Sequence, residues 1–194
     1  MAEFFGIPLE GLFGVGNAEV DKVIPIADLE KLEAITSTVD RLLLLVGVNS
    51  GISIEELLSI RKQDVDFDAQ TIYVYDNQKK RDRVITIPKE LMNDLRSYMK
   101  TSNTEMNYIF NFSRPTLDKH IGEWTERTLG YRRSWKSLRR TFIAKCAAKG
   151  WGVYIAANNS GVPPNDLISY FALSPQQKRD ILNNNGNNSH GTKR

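Results

Sequence analysis

Two features of this sequence carry reactive groups of complementary kinds. The first is a run of cations, Arg132, Arg133, Lys136, Arg139 and Arg140, at the start of an amphipathic segment. The second is Tyr170, in Ile168-Ser169-Tyr170-Phe171, separated from the cations by two short helix-like segments. Guanidinium and ammonium groups suit phosphate oxygens, and a tyrosine hydroxyl is a possible covalent nucleophile. A further basic cluster, Lys79, Lys80, Arg81 and Arg83, stands earlier in the chain.

The elements that must position these groups are legible from patterning. A chain of 194 residues with 41% hydrophobic and 25% charged residues is expected to form one ordinary globular domain with tails. The net charge of +3 is mild, so any affinity for nucleic acid has to come from local clustering. The single cysteine, Cys146, falls in an apolar helical pattern and is expected to be a buried, reduced thiol; cysteine and histidine are too few for a structural zinc site. The longest apolar run, Leu42 to Val48, is too short to span a bilayer, and the first twenty residues lack the basic start of a signal peptide. The expected location is intracellular, at the cytoplasm or nucleoid, with no membrane partner.

Residues 1–22 read as a linker or N-terminal arm, 23–182 as the domain, and the Asn- and Gly-rich 183–194 as a disordered tail. Helical spacing begins at Ala27 and again from Thr38 to Val48, where leucines all round mark a buried element. Asn49-Ser50-Gly51 breaks it, and Ser53 with Glu56 has the spacing of a capping box opening a new helix. Thr71 to Tyr75 and Arg83 to Ile87 predict an antiparallel hairpin with a basic tip. Pro88 is expected at the first position of a helix to Lys100, Tyr108 to Phe110 as a short strand, and Pro115 to Leu129 as a helix carrying His120. A helix from Ser134 or Trp135 to Gly150 follows, then short helices at Val153 to Ala157 and Asn165 to Phe171, and a last one from Ser174 to Leu182. The fold class is therefore α+β, mostly α, a helical bundle with a small antiparallel hairpin or sheet.

This order and these motifs resemble the catalytic domain of tyrosine site-specific recombinases, the phage integrase and Xer family. Ser50 to Arg61 is similar to the family's TGLRISELLSLR segment, and Asp64-Val65-Asp66 to the acidic turn after it. Ser134 to Phe142 is similar to the HxLRHTF box, and Ile168-Ser169-Tyr170 to the nucleophile segment. The resemblance implies a chemistry in which a tyrosine hydroxyl attacks a DNA phosphodiester, forms a 3′-phosphotyrosyl link and releases a 5′-hydroxyl. Two arginines steady the phosphate oxygens, a lysine protonates the leaving oxygen, and histidine or tryptophan residues assist. No metal or nucleotide cofactor is implied, and the partner is double-stranded DNA.

Carried over by resemblance, Tyr170 takes the nucleophile position, Arg139 the second arginine, Lys136 the first histidine of the box, and Lys79 or Lys80 the hairpin lysine. Lys79, Lys80, Arg81, Arg83, Arg132, Arg133 and Arg140 are expected to hold backbone phosphates. Two positions depart from the pattern. Ser53 stands where the family has its first arginine, a loss expected to cost about 3 kcal/mol or more of transition-state stabilisation. Gly161 stands at the later His or Trp position, while His120 and His190 lie elsewhere. Arg61 is a poor substitute for the missing arginine, and nothing marks Arg41 as one. The sequence thus supports three functions: a divergent recombinase, a pseudo-recombinase that binds DNA without cutting it, and an interaction module that self-associates through its C-terminal helix.

Overall fold

The computed structural model describes residues 22–35, 37–76, 81–102 and 107–172. The expected arm up to residue 21, the hairpin tip with Lys79 and Lys80, the helix from Ser174 and the tail lie outside the described residues. Helices α1 (Ile26–Ile35), α2 (Thr38–Ser50) and α3 (Ile54–Ser59) come first, and a 3-10 turn (Lys62–Asp64) leads to the strands. These are β1 (Val65–Asp66), β2 (Thr71–Asp76) and β3 (Arg81–Thr86). Helices α4 (Lys89–Thr101), α5 (Arg114–Leu129), α6 (Trp135–Ala148) and α7 (Val153–Ser160) follow, then a 3-10 turn (Pro164–Leu167) and α8 (Ile168–Phe171).

The helix starts are set by side chains that satisfy the first orphan N–H groups. Ser37 accepts from Asp40 N at 3.2 Å and Ser113 from Thr116 N at 3.3 Å. At α3 the capping box is complete, with Glu56 N donating to Ser53 Oγ at 3.2 Å and Ser53 N to Glu56 Oε2 at 2.8 Å. The strands form one antiparallel sheet in the order β1-β2-β3, in register Ile72 with Ile85 and Val74 with Arg83. Ile72 and Val74 point inward while Tyr73 and Tyr75 remain exposed, the alternation of a half-buried sheet.

Several expectations need correction. The hairpin is present, and a third strand not marked in the sequence joins it, because Val65 and Asp66 pair with Ile72 and Thr71. Its return strand starts at Arg81, earlier than Arg83. Tyr108 to Phe110 is not a strand. Tyr108 makes one antiparallel bridge to Arg61, and the chain there is held by Lys62 N to Asn107 O (2.8 Å) and Ile109 N to Ile60 O (3.0 Å). Arg61 lies between a helix and a 3-10 turn, so it offers no longer edge to pair with. Pro88 is the N-cap of α4 and not its first helical residue. Helix α7 runs on through Asn158 and Asn159 to Ser160, and Asn165 to Leu167 lies in the 3-10 turn rather than in the helix.

The large apolar core joins α1 to α5 with the inner face of the sheet, through Leu43, Leu57, Ile85, Leu95 and Ile121 among others. A second cluster, with Phe142, Ile143, Cys146, Ala156, Leu167 and Tyr170, binds α6 to α7 and α8. Helix α6 links the two, since Trp135 and Leu138 belong to the first and Phe142 onward to the second. Trp135 Nε1 donates to Ile52 O at 2.8 Å, and Ile24 N donates to Thr141 Oγ1 at 2.9 Å. Among the described residues no helix is long and apolar enough to cross a membrane.

Candidate functional site

Helix α6 carries the cations of the opening motif, and its turns divide them. Lys136 is exposed and Arg139, one turn later on the same side, is half-buried. Arg140, also one turn after Lys136, is only 6% exposed and lines one cleft with it. Around the N-terminus of α6 lies a cleft of about 530 Å³ lined by Lys22, Arg132, Arg133, Lys136, Arg140 and Asp118 together with Gly122, Ser134 and Ser137. Each loop arginine is fixed by local contacts. Arg132 pairs with Glu126 at 2.8 Å, and its guanidinium lies against Gly122. Arg133 stacks on the Tyr131 ring, 4.1 Å from the centroid, and its backbone N–H donates to Thr125 Oγ1 at 2.8 Å.

Arg139 faces a different neighbourhood. Its Nη2 donates to the carbonyl of Ser160, the last residue of α7, and its Nε is buried without a hydrogen-bond partner among the described residues. Burial pulls its pKa below the ordinary arginine value, Glu56 pulls the other way, and Arg83 adds to the lowering. A guanidinium starting so high stays charged at neutral pH.

Arg83, expected at a DNA surface, is buried. Its side chain is 7% exposed and reaches across the sheet edge to Glu56, itself 2% exposed. Nη1 pairs with Glu56 Oε1, Nη2 donates to Oε2 at 3.0 Å, and Nε and Nη2 donate to Asn159 O at 3.1 and 3.0 Å. Burial pushes the Glu56 carboxyl up, but hydrogen bonds from Arg83 and Ser53 and the Arg83 charge outweigh it and leave the pKa below the ordinary carboxylate value.

The structure therefore brings Arg83, Arg139, Glu56 and the end of α7 together, with Ser53 capping α3 beside Glu56. Tyr170 is 3% exposed and sits in the second apolar cluster. The side chains of Lys79, Lys80 and Arg81 lie outside the described residues. Helical spacing did not mark the Arg83–Glu56 pair: its partners lie on different elements, and Glu56 already had a local use in the capping box. Lys22 was missed for the same kind of reason, since nothing next to it in sequence points to the cleft. His120 stands on α5 with its side chain 42% exposed, and its Nε2 pairs with Asp40 of α2.

Residues 18–161 match the family model described as the phage integrase family. The chain belongs to that family. Among curated relatives, the tyrosine recombinase XerA of Pyrococcus furiosus is 27% identical over 167 residues, covering 82% of this chain and 54% of that protein. XerA of Thermococcus kodakarensis is 36% identical over 70 residues, covering 36% of this chain and 25% of that protein. The chain thus spans about half the length, or less, of the curated relatives it matches. Among solved structures, XerA recombinase superposes with a TM-score of 0.72 at 19% identity, covering 82% of this chain and 63% of that one. XerH recombinase bound to its difH substrate gives 0.66 at 16% identity, covering 80% and 52%. The catalytic domain of bacteriophage HP1 integrase gives 0.58 at 15% identity, covering 83% and 94%. At these identities the likeness is one of fold. A mostly helical domain with a small antiparallel sheet, expected from the sequence, is the fold of these recombinase domains.

Proposed function

We propose that this domain binds duplex DNA through the α6 cleft and belongs to a tyrosine recombinase that breaks and rejoins DNA. The observation that carries this reading is the gathering of Lys22, Arg132, Arg133, Lys136 and Arg140 in one cleft around the start of α6. Family membership supplies the reaction class: the XerH structure is named as a pre-cleavage complex with its DNA site.

In this reading Tyr170 Oη attacks the phosphorus of a phosphodiester and the P–O5′ bond breaks. The tyrosine proton passes to water, and the leaving 5′ oxygen gains one from Lys79 or Lys80. Arg139 steadies the negative charge on the phosphate oxygens, and Lys136 donates to them where the family has histidine. The bond to tyrosine conserves the energy of the broken one, so no cofactor is required. Burial of Tyr170 means that the α8 segment has to shift for its hydroxyl to reach DNA.

A second reading, DNA binding without cleavage, has specific support. Ser53 is used as a helix cap, and Arg83, a guanidinium beside it at Glu56, is committed to Glu56 and Asn159. Nicked suicide substrates separate the two. The recombinase reading expects a covalent protein–DNA adduct that disappears in Tyr170→Phe. Intact binding with no adduct leaves the non-cleaving protein, and an adduct that survives Tyr170→Phe rejects this tyrosine as the nucleophile. Self-association through the segment from Ser174 belongs to the same proposal and is testable by sedimentation with and without that segment.

A further inference from the structure

Arg83 occupies an unusual place for a cation. On β3 it shares its face with Ile85, and two residues further on Ile87 is also buried, so strand alternation sends its side chain toward the core. A guanidinium there needs a partner for its charge and acceptors for its N–H groups. Glu56 supplies the charge and Asn159 O the remaining acceptor, and together they take Nε, Nη1 and Nη2.

The next carbonyl along the chain, Ser160 O, holds Arg139. Two guanidinium groups therefore sit on consecutive carbonyls at the C-terminus of α7, the end where exposed C=O groups attract cations. The turn beyond them closes through Gly161, whose φ is +66°. A Cβ on Gly161 would lie 2.9 Å from Arg83 Nη1 and 3.1 Å from Cζ, so the turn packs directly on the guanidinium. The donors of the two arginines are used differently. Nε, Nη1 and Nη2 of Arg83 all donate within the protein, whereas Arg139 donates only through Nη2 to Ser160 O and its buried Nε has no partner among the described residues.

We propose that Arg83 is a positioning residue: neutralised by Glu56, it holds the Asn159–Gly161 turn, and that turn holds Arg139 for a DNA phosphate. Glycine at 161 is then the residue that makes room for Arg83. This inference rests on the reading above that Arg139 contacts phosphate.

The test is the salt dependence of binding to a short duplex DNA of arbitrary sequence, which counts phosphate contacts, with a thermal melt of each variant to verify folding. Arg139→Ala is expected to lower the slope of log K against log salt by roughly 0.9, one phosphate contact. Arg83→Lys keeps a cation for Glu56 but lacks the fork that also reaches Asn159 O. It is expected to lower the slope by the same amount, and the double variant to lower it no further. An unchanged slope in Arg83→Lys beside a lowered one in Arg139→Ala overturns the positioning role and leaves the DNA-binding reading standing. A double variant that loses two contacts means that Arg83 touches phosphate itself, which also overturns it. An unchanged slope in Arg139→Ala rejects both the inference and the phosphate role beneath it. Where Arg83→Lys does not fold, Gly161→Ala serves instead. It keeps every charge while displacing Arg83, and an unaltered slope there overturns the proposal.

Discussion

Glu56 is asked to do three things with one carboxylate. It accepts the Ser53 N–H, neutralises Arg83 and, through Arg83, ties α3 to the end of α7. Removing one partner of a buried ion pair leaves the other charge uncompensated, so Arg83→Ala is expected to cost about 3–5 kcal/mol in a denaturant titration. The pH dependence follows from the lowered pKa of Glu56. Its carboxylate is favoured in the folded state, so its contribution is fully present above the ordinary value of 4.5 and is lost as pH falls through the folded value. Melting temperature should therefore drop with acidification below about pH 4.5, and Glu56→Gln should flatten that part of the curve at lower overall stability. An equally steep acid limb in Glu56→Gln would reject this assignment. Of this network, the Ser53–Glu56 half was legible in the sequence because capping is local and has a fixed spacing. The Arg83 half was not, since an arginine on a strand beside other cations reads as surface until the fold turns it inward.

The same contrast between local and tertiary causes holds for whole elements. Helix stops at Gly51 and Gly130 were legible, and both glycines have a positive φ. Sequence does not rank them, whereas the packing does. A Cβ on Gly51 would stand 2.3 Å from Phe142 Cδ1, on a backbone with φ +67°, so α2 ends in direct contact with α6. At Gly130, with φ +80°, nothing lies within 4 Å of the added atom. Gly130→Ala is expected to cost about 1 kcal/mol, the strain of the left-handed conformation alone. Gly51→Ala should cost a further 1–3 kcal/mol or so because Phe142 has to move. Chemical denaturation of both variants checks the difference, and equal losses would mean that α6 yields without cost. Tyr108 to Phe110 shows the opposite failure. Its β-favouring residues suggested a strand, but Ile109 and Phe110 serve as buried plugs, and the backbone pairing stops at the Tyr108 bridge to Arg61 and the Ile109 N–H to Ile60 O bond.

At the scale of the molecule, a net charge of +3 gives little general attraction for a polyanion, so binding has to be local. The fold makes it local by bringing Lys22 to the cleft formed by Arg132, Arg133, Lys136 and Arg140. The cluster from Arg132 to Arg140 was visible as a run in the sequence; its concave shape and the added Lys22 come from helix packing. This distinction is measurable with two substitutions that change net charge identically. Lys136 is exposed within the cleft, whereas Lys100 is exposed in the last turn of α4 and lies outside it. If the cleft carries the binding, Lys136→Ala lowers the salt slope for duplex DNA by roughly 0.9 and weakens binding, while Lys100→Ala leaves the slope unchanged. If attraction comes from overall charge, the two variants weaken binding alike. Glu126→Gln extends the comparison with the opposite sign. It releases Arg132 from its 2.8 Å ion pair at the edge of the cleft, so binding should tighten at low salt and the gain should fade as salt rises.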